Sequence, residues 1–153
     1  MSSRLQMKEA PDRLALAYHT FFTELEVPEP SANRAEFRFS ITGKGRPPEE
    51  AYLTLQLRLK AGESLETPSG PQSITSAPIE LVLTGAIRHR GWTLRTDSEA
   101  SLKWPVYPFN PYANGPEKDV ANAVATLTIP IRLKGGASVR PGEQRISIVL
   151  EAQ

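Results

Sequence analysis

Tyr52-Leu53-Thr54-Leu55-Gln56-Leu57-Arg58-Leu59-Lys60 sets a leucine at every second position and a polar or aromatic residue between. Side chains of an extended chain alternate between its two faces, so this spacing predicts a strand with one face packed and the other in water. Helical winding would scatter the same leucines around a cylinder. The pattern recurs in both directions along the chain. Towards the N-terminus, Phe37, Phe39 and Ile41 alternate with Glu36, Arg38 and Ser40. Towards the C-terminus come Ile79, Leu81 and Leu83, then Leu127, Ile129, Ile131 and Leu133, then Ile146, Ile148 and Leu150. Such two-faced strands belong mainly to antiparallel sheets.

Turn formers punctuate these runs at Gly43 to Pro48, Pro68 to Pro71, Gly135-Gly136 and Pro141-Gly142. Short strands at that spacing are the signature of sandwiches and barrels. The fold expected is therefore all-β, an immunoglobulin-like antiparallel β-sandwich formed by residues 1–153 as one domain, with 1–10 flexible. Within 124–133, Pro130 has no N–H for a ladder, so it is expected at an edge or a bulge.

Two segments depart from simple alternation. Leu14, Ala17, Tyr18, Phe21, Phe22 and Leu25 follow helical spacing, with Pro11 suited to a first helical turn, whereas Thr20 to Thr23 and Val27 are strand formers. A strand over Thr20 to Val27 is expected, paired with Glu36 to Ile41 across the loop from Pro28 to Arg34. Pro11 to His19 stays open between a short N-terminal helix and a strand. The other segment is Lys103 to Asp119, where Pro105, Pro108, Pro111 and Pro116 crowd together and predict an irregular loop. Loops of that length in compact domains tend to be functional or disordered.

Composition removes whole classes of function. Leu, Ile, Val and Phe make up nearly a quarter of the 153 residues, above the roughly one-fifth below which chains stay disordered. A net charge of +1 offers nothing to draw nucleic acid, and no apolar run approaches the roughly 18 residues of a membrane-spanning helix, so neither nucleic-acid binding nor membrane insertion is expected. With no cysteine there is no disulfide, thiolate nucleophile or thiolate zinc site. Asp12, Asp97 and Asp119 are the only aspartates and His19 and His89 the only histidines. Triads, carboxylate dyads and hard metal sites have few residues to draw on, and neither histidine has a catalytic spacing to a partner. No catalytic residue, metal or cofactor is expected.

Two stretches carry the candidate binding residues. Trp104-Pro105-Val106-Tyr107-Pro108-Phe109-Asn110-Pro111-Tyr112 concentrates Trp104, Tyr107, Phe109 and Tyr112 among interleaved prolines, which reduce the entropy lost when a contact surface is ordered. Those rings equally suit a plug for the open end of a sandwich. Arg88-His89-Arg90-Gly91-Trp92 reads as a hairpin tip whose Arg88 and Arg90, beside Trp92, offer forked donors to a carboxylate or phosphate. A solvated basic turn has the same composition. Gly43-Lys44-Gly45-Arg46 is Gly-rich and basic but lacks the strand-to-helix context of a phosphate loop.

The order of features from Tyr52 onward resembles the N-terminal immunoglobulin-like domain of DsbD-type thiol:disulfide interchange proteins. The resemblance is carried by Tyr52 to Gly62, Ser76-Ala77-Pro78-Ile79-Glu80-Leu81, Leu102-Lys103-Trp104-Pro105, Ala125 to Leu133, Pro141-Gly142 and Ile146 to Gln153. It implies a sandwich with a docking role in an extracytoplasmic setting. The family passes electrons through a cysteine pair that this chain lacks, so no catalytic residue carries over. The expected function is a non-catalytic interaction domain contacting a protein or a neighbouring domain. The competing reading is a carbohydrate-binding module, which would need coplanar exposed rings at Trp104, Tyr107 and Tyr112. Buried rings with an exposed strand edge would favour a protein partner.

Overall fold

A computed structural model describes residues 6–10, 12–18, 21–43, 51–109, 111–112, 114–116, 118–133 and 142–153. The expected turns at 44–48, 135–136 and Pro141, together with Pro11, His19, Asn110 and residues 1–5, lie outside them. The strands are β1 (Gln6–Ala10), β2 (Arg13–Tyr18), β3 (Phe21–Glu26), β4 (Arg34–Gly43), β5 (Tyr52–Leu57), β6 (Ser64–Thr67), β7 (Gly70–Ser73), β8 (Ile79–His89), β9 (Trp92–Val106), β10 (Val124–Pro130) and β11 (Gly142–Ala152). Every pairing is antiparallel. The chain is an all-β sandwich-like fold.

β9 organises the molecule. Its first half pairs with β11, from Ala152↔Trp92 to Ile148↔Thr96, and its second half with β10, from Thr128↔Ser101 to Val124↔Val106. β8 follows β9 along both halves. Between the halves one β8 residue, Thr84, opposes three on β9, Asp97, Ser98 and Glu99. Such bulges bend a ladder, and Gly85 at this step has φ +97, which a side chain would disfavour. Two arms therefore leave the same edge of β9. One runs β11-β4-β3-β2-β1, the other β10-β5, while β6-β7 extends β8 on the far side.

The arms close on a single core. Ile41 from β4, Ile146 and Ile148 from β11, Leu94, Leu102 and Trp104 from β9, and Leu127 and Ile129 from β10 are all buried in one cluster. Leu53, Leu55 and Leu57 are half-buried against it and Leu59 is buried, so the alternating row does face inward. A side chain at Gly142 would begin 2.7 Å from the Cβ of Leu133, so only glycine fits where β11 starts.

The helical option for 11–19 is corrected by β2. Leu14↔Leu25 and Tyr18↔Phe21 pair across a tight reversal, and two strands folded back on each other mimic helical spacing when read as one line. β3 pairs with β4 as expected, with Leu25↔Phe39 and Thr23↔Ile41. Gln6–Ala10, read from sequence as flexible, forms β1. The irregular loop begins later than expected, because Lys103 to Val106 complete β9. Pro105, joined to Trp104 by a cis peptide, falls where the β10 ladder shifts register, a step that needs no N–H from it.

Pro130 is the last residue of β10 and lies beyond the final β9 pair at Thr128↔Ser101. Ile131 N–H donates to Ala51 O at 2.8 Å, so by antiparallel alternation Ile129 and Leu127 also turn their amides to β5, and Pro130 turns the other way. Its missing N–H would have faced a ladder that has already ended. The Gln144 side chain fills that gap, accepting from Arg132 N–H at 2.6 Å and donating to Pro130 O at 3.3 Å.

Candidate functional site

The aromatic stretch divides into anchors and exposed rings. Trp104 is buried, its Nε1–H donating to Thr75 O at 2.7 Å, so it belongs to the core. Tyr107 is half-buried against the same cluster, and its hydroxyl donates to Lys118 O at 3.5 Å. Beyond them Phe109 is 90% and Tyr112 92% exposed. The loop then returns through Asp119, whose carboxylate accepts from Ala121 N–H at 2.9 Å and caps a 3₁₀ turn at Val120–Asn122 that leads into β10. Phe109 and Tyr112 thus ride on a segment pinned at both ends.

At the basic tip, Arg90 and Gly91 make the two-residue connection between β8 and β9, with His89↔Trp92 as the closing pair. Arg90 has φ +53, the left-handed conformation that hairpin turns of this length require. Its Nε lies 3.3 Å from Glu63 Oε2, and Lys60 Nζ lies 3.3 Å from the other oxygen of that carboxylate. Glu63 thus places its carboxylate between the two cations of the tip. Arg88 is exposed, with its Nε donating to Thr93 Oγ1 at 3.4 Å. Trp92 packs on the core and meets His89 edge to face, with centroids 5.8 Å apart. The tip and the aromatic loop are separate: Trp92 opens β9 and Val106 closes it.

Within the basic turn, His89 is a buried structural group. Lys60 N–H donates to its Nε2 at 3.0 Å, and its Nδ1 lies 2.9 Å from Ser64 O. A carbonyl can only accept, so these two contacts match the tautomer that carries its proton on Nδ1. Alternation along β8 would have placed its side chain inward, level with Ile87 and the core.

Two further features were not visible in the sequence. A cleft of about 360 Å³ opens where β10 and β11 part from β9, lined by Ser98, Glu99, Pro130, Arg132, Gln144 and Arg145 among others. Its charges are exposed and paired among themselves, with Arg145 2.9 Å from Glu143 and Arg132 4.0 Å from Glu99. The other feature is β5, which among the described strands pairs with β10 alone and so ends the shorter arm. Which alternating strand ends an arm depends on long-range pairing, and sequence periodicity does not carry that.

On the outer face of β4, Arg38 lies 2.9 Å from Glu36 and Arg34 3.5 Å from it, and Ser147 Oγ donates to Glu36 at 3.3 Å. The hydrogen bond from Arg38, with the charges of Arg38 and Arg34, holds the Glu36 carboxyl below its usual range. Among the described residues, no three His, Asp or Glu side chains are placed to hold a metal ion, and no helix is long and apolar enough to cross a membrane. Comparison of the chain with family models, curated proteins and solved structures gives no match.

Proposed function

We propose that this chain is a non-catalytic interaction domain of immunoglobulin-like type that binds a protein or a neighbouring domain through the loop from Val106 to Tyr112. The observation that carries the reading is the exposure of Phe109 and Tyr112, at 90% and 92%, on a loop anchored by buried Trp104 and half-buried Tyr107. Large rings so fully in water contribute nothing to the core, whereas aromatic anchors supply a disproportionate share of interface energy. Prolines flanking them lower the entropy cost of docking. A docking role is also what the resemblance to the DsbD-type domain implies.

The carbohydrate reading loses support because Trp104, the best stacking ring, is inside, and Tyr107 is partly covered. Rings that are largely buried favour a protein partner over a sugar. The test compares Phe109→Ala and Tyr112→Ala with the parent chain. A partner captured by the parent and confirmed by calorimetry should bind at least one variant about 2 kcal/mol more weakly, or roughly thirtyfold, while the Tm stays unchanged. Loss of binding that merely tracks loss of Tm in every variant would return the rings to a packing role.

A further inference from the structure

We propose that Asn114–Gly115 is a self-modifying site, at which the aromatic loop exchanges a side-chain amide for a carboxylate without the help of an enzyme. The inference concerns the covalent chemistry of the loop and stands whether or not its rings bind a partner.

The sequence supplies the first part. An asparagine side chain carries its carbonyl carbon within reach of the next residue's main-chain nitrogen, and attack within one chain needs no encounter between molecules. The asparagines are Asn33, Asn110, Asn114 and Asn122, and Asn114 alone precedes a glycine. Glycine has no Cβ to crowd the approach. Asn110 precedes Pro111, whose nitrogen bears no hydrogen and cannot close a neutral imide.

The structure supplies the second. Asn114 and Gly115 are exposed, and among the described residues neither makes a hydrogen bond or an ion pair, so the attacking and the departing amide are both held by nothing but water. A Cβ placed on Gly115 would meet no atom within 4 Å, so the space around its main chain is open. The competing positions are tied down. Arg34 N–H, which follows Asn33, donates to Ser31 O at 3.5 Å, and Asn33 Oδ1 accepts from Ser31 Oγ at 3.4 Å. Ala123 N–H, which follows Asn122, donates to Val120 O at 3.2 Å at the end of the 3₁₀ turn. An amide nitrogen engaged in this way cannot swing onto the preceding side chain without giving up its bond.

The step needs water as its only co-reactant. The Gly115 nitrogen passes its proton to solvent and attacks Cγ of Asn114. A nitrogen–Cγ bond forms, closing a five-membered imide, and the Cγ–Nδ2 bond breaks, releasing ammonia. Water then adds to one of the two imide carbonyls and breaks that carbon's bond to nitrogen. Opening at Cγ gives aspartate, whereas opening at the main-chain carbonyl gives isoaspartate, whose backbone runs through Cβ and Cγ. Either product is ionised at neutral pH, so the net charge of the chain moves from +1 to zero. The iso form also adds a methylene to the backbone between Tyr112 and the Asp119 cap.

The whole chain, held in mildly alkaline buffer and sampled over time, provides the test. Peptide mass spectrometry should find a gain of one dalton at Asn114 ahead of any at Asn33, Asn110 or Asn122, with ammonia released in equal amount. Ion exchange should resolve a more acidic species, part of it eluting with Asn114→Asp and the rest labelled by an isoaspartyl methyltransferase. Asn114→Gln would need a larger ring and should slow conversion at this position about tenfold or more. Unfolding in urea should leave the rate at Asn114 nearly unchanged and raise it at Asn33 and Asn122, because the fold restrains only those two. An amide that persists at Asn114 while a free peptide of residues 112–116 converts would overturn the proposal. So would a folded chain that converts first at Asn33 or Asn122, an Asn114→Gln variant that converts as fast as the parent, or a rate at Asn114 that urea raises as much as at the other two.

Discussion

His89 is the only buried titratable side chain among the described residues, and its two ring nitrogens tie the segment around Lys60 and Ser64 to the end of β8. His89→Leu keeps the volume but strands Lys60 N–H and Ser64 C=O, and each orphaned group costs about 1 to 3 kcal/mol. Urea unfolding should show at least that loss, with the midpoint shifted and the slope retained. Glu36 presents the opposite case, a half-buried group on the outer face whose charge is stabilised when folded. Its folded pKa lies below the ordinary 4.5, so its contribution is present above that value and disappears as pH falls through the folded pKa. Tm measured from neutral pH down through the carboxylate range should therefore fall more steeply for the parent than for Glu36→Gln. Parallel curves would show that the ion pairs around Glu36 do not contribute. Neither role was legible residue by residue. The partners of Glu36 include Ser147, 111 positions away, and those of His89 are backbone groups that any sequence would provide.

Among the elements, period two identified β4, β5, β10 and β11 because each packs one face and wets the other. It failed where two strands fold back within a few residues, as β2 and β3 do, and where a strand continues through a proline, as β9 does at Pro105. Periodicity also overstates burial at the ends of a sheet. Leu127 is 0% exposed in the middle of β10, whereas Leu57 on the edge strand is half-buried. Leu127→Ala should cost about 3 to 5 kcal/mol and Leu57→Ala about 2, the lower end for buried leucine. Thermal and chemical melts of the pair will show whether position in the sheet, or the shared pattern, sets the cost. Proline placement gives a sharper contrast in the same strand. Thr128 faces Ser101 across the β9 ladder, so Thr128→Pro should lose about 1 to 3 kcal/mol, whereas Pro130 sits two residues on where no ladder bond is owed.

For the molecule as a whole, composition and alternation were enough for an all-β fold. The two-armed plan was not legible, because it depends on one strand changing partners halfway along, an event recorded in the sequence only by Gly85 and the short polar stretch from Asp97 to Glu99. The aromatic loop, by contrast, announced itself by composition, and what the structure adds is the division between its buried and exposed rings. β9 has a further consequence for motion. Since it is hydrogen-bonded to β11 along one half, to β10 along the other and to β8 on both sides of the bulge, neither arm can open fully without stripping part of it. Amide exchange should reflect this, with β9 protons leaving only in the rare excursions that unfold everything and those of β1 and β2 leaving first by fraying. Adding low concentrations of denaturant should speed exchange in β9 with the full slope seen in global unfolding, and in β1 with almost none. The strand that joins the two halves is thus also the clock by which the whole chain comes apart.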